Sequence, residues 1–126
     1  MYKVTVRGHL MIAHSLPDTF FGPARNLHGA TYIADVSFSS KALDSHNVVV
    51  DIGLVHKILT KTLEPLQYQN LDDLPQFKGQ FTTTEFMAKY IHDKIKEKVE
   101  NFFEGSISVT LGESHIAWAT YEGDSL

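Results

Sequence analysis

The chain opens on an alternating pattern. Tyr2, Val4, Val6, Leu10, Ile12 and His14 share one parity, while Lys3, Thr5, Arg7 and His9 share the other, the spacing of a half-buried strand over residues 2–14. A turn-rich stretch follows from Ser15 to Asn26, carrying Pro17, Gly22 and Pro23. Alternation resumes over residues 28–39, with His28, Ala30, Tyr32, Ala34, Val36 and Phe38 opposed to Thr31, Asp35 and Ser37. A loop at Lys41–His46 leads to the apolar run Val48-Val49-Val50, and the period then changes. Leu54, Val55, Ile58, Leu59, Thr62 and Leu63 recur at helical spacing until Pro65 ends the helix. The segment Gln67–Gln80 is irregular, with an acidic pair at Asp72-Asp73. A second helix is expected to open at Thr82-Thr83-Thr84-Glu85, whose Thr-x-x-Glu spacing fits a capping box, and to bury Met87, Ile91, Ile95 and Val99. Two more strands are expected around Ser106–Gly112 and His115–Tyr121, joined tightly at Gly112–Ser114.

The order strand, strand, helix, helix, strand, strand, with no repeat or linker, predicts one α+β domain over residues 1–126 with a mostly antiparallel four-stranded sheet. Such a sheet has two open edges, and self-assembly through them is one way to cover them.

Composition narrows the field. The 126 residues are 43% hydrophobic and 21% charged, the balance of a soluble globular chain. Eleven basic residues against fifteen acidic ones leave a net charge of −4, so no nucleic-acid partner is expected. Cysteine is absent, which excludes disulfides, thiolate metal sites and a cysteine nucleophile. No apolar run approaches the roughly 20 residues of a membrane span. The N-terminus also lacks the apolar middle of a signal peptide, so no membrane partner and a cytoplasmic location are expected. Seven histidines are many for this size.

More specific signals lie in short runs. In order, the chain carries Ile12-Ala13-His14-Ser15-Leu16, then Ala24-Arg25-Asn26-Leu27-His28-Gly29-Ala30-Thr31-Tyr32, Val49-Val50-Asp51-Ile52, Thr83-Thr84-Glu85 and Glu113-Ser114. Together these resemble the Ala-Ala-His-x-Leu, Cys-x-x-Leu-His-Gly-His-x-Tyr, Val-x-Asp-Phe, Thr-Thr-Glu and Glu-Thr motifs of the 6-pyruvoyl-tetrahydropterin synthase / 6-carboxytetrahydropterin synthase family. The resemblance implies the tunnelling fold (T-fold), an antiparallel four-stranded sheet with two helices on one face. It implies subunits joined edge to edge into trimeric barrels that stack as hexamers, with ligand sites between subunits. It also implies a pterin-like ligand and a zinc-dependent lyase reaction on 7,8-dihydroneopterin triphosphate.

The departures from the family pattern bear on that chemistry. The family holds zinc with three histidines, two of them as His-x-His, which works because residues i and i+2 of a strand share a face. Here His14 and His28 keep two positions and Ala30 occupies the third. Zinc is therefore expected to be weakly held or absent, and a leftover hydrogen-bonded histidine pair stands beside a weakened metal site as the alternative. His9 has the wrong parity to substitute; His46, His56 and His92 are expected to be exposed, and His115 is the outside candidate. The family's cysteine base falls at Ala24, and its Asp/His relay falls at Gln67 and Tyr68. None of the three is a competent base at neutral pH.

What the resemblance leaves in place is ligand recognition. It assigns Glu113 to the guanidine-like edge of a pterin ring, with Thr83, Thr84 and Glu85 at the helix start beside it. Glu113 shares its parity with Ile107, Val109 and Leu111, so it should point with the apolar set; a structural ion pair is the alternative. Capping alone would also account for Glu85. Trp118, Phe20-Phe21 and Phe102-Phe103 read as core or subunit contacts. The expected function is pterin binding with the lyase reaction lost or altered. The alternatives are an active lyase with a rebuilt site, and a non-catalytic structural or regulatory partner of active family members.

Overall fold

The two alternating stretches pair with each other along their whole length. In the computed structural model, which describes residues 1–124, strand β1 (Tyr2–His14) runs antiparallel to β2 (His28–Ser40) without a break from Tyr2↔Ser40 to His14↔His28. Strand β3 (Ser106–Ser114) joins the far side of β2 and β4 (Ala117–Glu122) closes the sheet, in the order β1-β2-β3-β4. Helices α1 (Ile52–Leu63) and α2 (Thr84–Val99) intervene between β2 and β3, separated by short 3-10 turns.

Parity decides which face the helices cover. Val6, Leu10 and Ile12 of β1, Tyr32, Ala34, Val36 and Phe38 of β2, and Ile107, Val109 and Leu111 of β3 are all buried in one cluster. Against them pack Val55, Leu59 and Leu63 of α1 and Met87, Ile91, Ile95 and Val99 of α2, the stripes that the helical spacing predicts. The other face is polar and paired across the strands: Arg7 grips Asp35 with two bonds of 2.7 and 2.9 Å, Thr5 meets Ser37 at 2.7 Å, and Thr110 meets Thr120 at 2.7 Å. Such exposed pairs contribute little stability, but they agree with the buried face on a single register.

Several boundaries differ from expectation. The N-cap of α2 is Thr83, whose hydroxyl accepts from the Phe86 amide at 3.1 Å, so the capping-box register beginning at Thr82 is not used. Asp51 caps α1 through the Leu54 amide. Strand β3 runs past Gly112 to Ser114, because a register shift between Gly112 and Ser114 inserts a bulge there; the turn falls at His115-Ile116 instead. His92, expected in water, is only 4% exposed. Its place four residues after buried Ala88 widens the α2 stripe, and its ring packs on Tyr121 at 4.8 Å. The backbone at Gly123 passes so close that a Cβ there would overlap the imidazole. Of the aromatic pairs, Phe103 is buried while Phe20 and Phe102 are exposed, and Trp118 is 66% exposed.

The outer edge of β1 is partly covered by the chain's own loop. The Gln67 side chain spans it like a peptide group, with Nε2 donating to the His9 carbonyl and Oε1 accepting from the Met11 amide at 3.1 Å. Beyond it the Tyr68 amide donates to the Met11 carbonyl at 2.7 Å, the Ala13 amide donates to the Gln69 carbonyl at 3.0 Å, and Asn70 forms a parallel bridge with Ala13. Below, the His56 ring meets the Arg7 carbonyl at 3.2 Å. Gln67 thus performs edge protection, a job that needs both a donor and an acceptor.

Replacing Gln67 by Ala is expected to lower stability by about 1–2 kcal/mol, the worth of two partly solvated hydrogen bonds. Gln67→Glu, which keeps the length but loses the donor to His9, should fall between the variant and the wild type. Chemical denaturation of the three proteins checks the order.

Candidate functional site

The upper end of the sheet gathers the histidine pair and the residues expected to hold a ligand. His14 and His28 close the β1–β2 ladder as direct partners, and their rings meet edge to face with centroids 4.6 Å apart. His14 is 2% exposed and its Nδ1 lies 2.9 Å from the Thr82 hydroxyl. His28 places Nδ1 2.8 Å from the Asn26 carbonyl. A carbonyl only accepts, so that nitrogen carries the proton and the lone pair of His28 is on Nε2. Burial, with His28 adding to it, holds the His14 imidazole below the ordinary histidine range, while Asp72 and Thr82 pull the other way. Asp72 also fastens the turn after His14, accepting from the Ser15 amide at 3.0 Å and the Ser15 hydroxyl at 2.6 Å.

Two imidazoles meet here without a third donor beside them. Supporting hydrogen bonds of the kind that orient metal-ligating histidines are present on both rings. The third position is Ala30, opposite Ile12 and two residues along from His28, where a methyl group stands in place of a donor. His9 lies on the opposite face of β1 and His115 in the β3–β4 turn. Among the described residues no group of three metal-ligating side chains converges.

The positions that the resemblance assigns to proton transfer carry one ionisable group, the Tyr68 phenol. Ala24 sits in the 3-10 segment Thr19–Arg25, where its carbonyl accepts from the Leu16 amide at 3.1 Å. Gln67 is engaged with the β1 edge. Tyr68 is 79% exposed at a positive φ of 59° and shares a shallow cleft of about 440 Å³ with Met11, Ala30 and Asn70.

The ligand positions do come together. Glu113 from the β3 bulge, Thr84 and Glu85 from the first turn of α2, and Trp118 and Thr120 from β4 line one cleft of about 440 Å³. Glu113 faces the helix side as its parity predicts, but in the single chain it is exposed, because the bulge carries it beyond the buried set that ends at Leu111. Glu85 is exposed in the first turn of α2, where a carboxylate complements the helix dipole. The cleft carries two carboxylates and, among the residues that line it, no cation. It therefore suits a ligand edge rich in N–H donors.

Three consecutive threonines divide the work of this region. Thr82 bonds His14, Thr83 caps α2, and Thr84 lines the cleft. Sequence reasoning missed Thr82 and Asp72 as partners of the histidine end. A threonine run before a helix is explained locally by capping, and nothing local marks which of its members reaches another strand.

Comparison with known proteins agrees with this fold. The sequence model described as 6-pyruvoyl tetrahydropterin synthase matches residues 3–124. The 6-pyruvoyl tetrahydrobiopterin synthase of Dictyostelium discoideum is 27% identical over 106 residues, spanning 82% of this chain and 76% of that one. The 6-carboxy-5,6,7,8-tetrahydropterin synthase of Bacillus subtilis is 25% identical over 89 residues, 70% of this chain and 61% of that protein. The structure of 6-pyruvoyl tetrahydropterin synthase from Caenorhabditis elegans superposes with a TM-score of 0.81 at 25% identity, covering 98% of both chains. The Plasmodium vivax enzyme of the same name gives 0.82 at 15% identity and 98% coverage of both, a likeness of fold alone. The sheet and its two helices are thus the tunnelling fold.

Ala30→His should supply the missing donor on the face that His28 occupies. Zinc binding, followed by calorimetry, is expected to tighten by at least the 10–100-fold that even supporting residues contribute to metal sites. An unaltered affinity would mean that His14 and His28 do not address a common point.

Proposed function

The chain belongs to the 6-pyruvoyl tetrahydropterin synthase family, and on that premise we propose that it is a pterin-binding member in which the lyase reaction is lost or altered. The observation that carries this reading is the convergence of Glu113, Glu85 and Thr84 on one cleft. A pterin presents an amino group and a ring N–H side by side. A carboxylate facing that edge accepts two charge-assisted bonds, each worth on the order of 1.5–3 kcal/mol. Neither carboxylate in the cleft has a salt-bridge partner among the described residues, which favours a ligand anchor over a structural ion pair. The Thr83 cap also releases Glu85 from the capping-box role and leaves its carboxylate free for the cleft.

The reaction is argued from the residues that stand at the family's proton-transfer and metal positions. Ala24 cannot exchange a proton, Gln67 cannot ionise, and Gln67 is committed to the β1 edge. With Ala30 in place of a third imidazole, zinc is loosely held or absent. General acid–base groups are worth about 10²–10⁴-fold each, so their combined loss removes the elimination chemistry. The cleft opens at the edge strand β4, where Trp118 is exposed with Ile116 in the turn before it, and this favours a trimer or hexamer whose neighbouring subunit completes the site.

Three measurements test the reading. Calorimetric titration with neopterin and biopterin should give binding, and none up to about a millimolar would leave the non-catalytic partner role in its place. Glu113→Gln should weaken that binding by roughly tenfold or more, the loss of one charge-assisted bond, with no change in Tm because the carboxylate is exposed. The wild type should release no triphosphate from 7,8-dihydroneopterin triphosphate. Turnover that disappears in His14→Ala or Glu113→Gln would instead identify an active lyase with a rebuilt site.

A further inference from the structure

Tyr32 is fully buried on β2, yet its hydroxyl finds no hydrogen-bond partner among the described residues. An unsatisfied buried hydroxyl is costly, and a phenylalanine would fill the same core space without that cost. Its surroundings indicate what the hydroxyl serves. Ile33 faces Gly112 across the β2–β3 ladder, which sets Tyr32 at the level of Glu113 on the helix side of the sheet. Burial first, and then the carboxylates of Glu113 and Glu85, hold the phenol above its ordinary pKa, so it remains a proton donor at neutral pH; Thr84, close enough to pull the other way, lies beside it. The hydroxyl therefore lies near Thr84 without the geometry of a hydrogen bond, and Thr84 itself stands on the cleft that it shares with Glu85 and Glu113.

We propose that Tyr32 is a positioning residue for the ligand of this cleft, donating to Thr84 Oγ1 in the bound state and so directing the single Thr84 proton outward onto a ring acceptor. The proposal rests on the reading of Glu113 as the ring anchor. A threonine hydroxyl has one proton and two lone pairs. Once one lone pair accepts from Tyr32, the proton must turn to another acceptor, and the cleft is the open side. Glu113 then accepts and Thr84 donates, a pattern complementary to a ring edge with N–H donors beside a carbonyl oxygen. The 2-amino-4-oxo edge of a pterin has that pattern; a 2,4-diaminopteridine, with an amino group in place of the carbonyl, lacks it. The three residues thereby select the substituent pattern of the ring edge and not merely its shape.

The test compares wild type, Tyr32→Phe, Thr84→Val and the double variant by calorimetry with neopterin and with 2,4-diaminopteridine, alongside thermal melts. The wild type should prefer neopterin. Tyr32→Phe should leave Tm unchanged or raised, weaken neopterin about tenfold and leave the diamino compound unaffected. Thr84→Val should cost as much, and the double variant no more than either, because the two hydroxyls act as one relay. A lowered Tm in Tyr32→Phe would overturn the proposal by making the hydroxyl structural, and losses that multiply in the double variant would overturn the relay. If Glu113→Gln weakens neopterin and Tyr32→Phe does not, the positioning role alone fails. If the wild type binds no neopterin, the anchor reading fails and this proposal with it.

Discussion

The unbroken register between β1 and β2 is the constraint on which the rest of the molecule depends. Thirteen pairs run from Tyr2↔Ser40 to His14↔His28, and side chains alternate faces with a period of two. A slip of one residue would turn Tyr32, Val36 and Phe38 to the solvent and bring Asp35 and Ser37 into the core. Both faces oppose that slip. Apolar side chains meet the helices on one, while Arg7 and Asp35 pair bidentately on the other. With the register held, His14 and His28 must adjoin, and Tyr32 must sit at the level of the β3 bulge.

The start of α2 translates that register into a site. Its buried stripe docks the helix on β3 and β4, and the residues just before it then reach in two directions. Thr82 goes to His14 and Thr84 to the Glu113 cleft, with the Thr83 cap between them. The histidine pair and the cleft are therefore joined through three residues of backbone. A shift of α2 on the sheet would move both.

Around this frame, positions that the family resemblance assigns to chemistry do mechanical work. The amide of Gln67 satisfies two backbone groups of an edge strand, a task an aspartate could perform only in half because it has no donor when ionised. Ala30 packs against the core, and the Ala24 carbonyl fastens the turn that follows β1. What the upper end brings together is two carboxylates and a threonine on one cleft, with a buried phenol at the same level of the sheet.

The element order, the buried faces of the strands and both helix stripes could be read from the sequence, because each reflects a period that one element carries within itself. The joint placement of Glu113, Thr84 and Glu85 was legible too, through motifs matched in register. What needed the tertiary structure was every fact that depends on the element opposite. His92 looks like a surface residue on its own helix, and only β4 and the backbone at Gly123 bury it. The bulge that lengthens β3 and exposes Glu113 arises from pairing with β4, not from any residue of β3 alone. The threonine run offers two positions for the helix start, and the bond from Thr82 to His14, sixty-eight residues away, leaves Thr83 as the cap. The unpartnered hydroxyl of Tyr32 is the extreme case: a tyrosine at a core position carries no mark in the sequence of whether its oxygen is satisfied, since that is decided by side chains from two other elements.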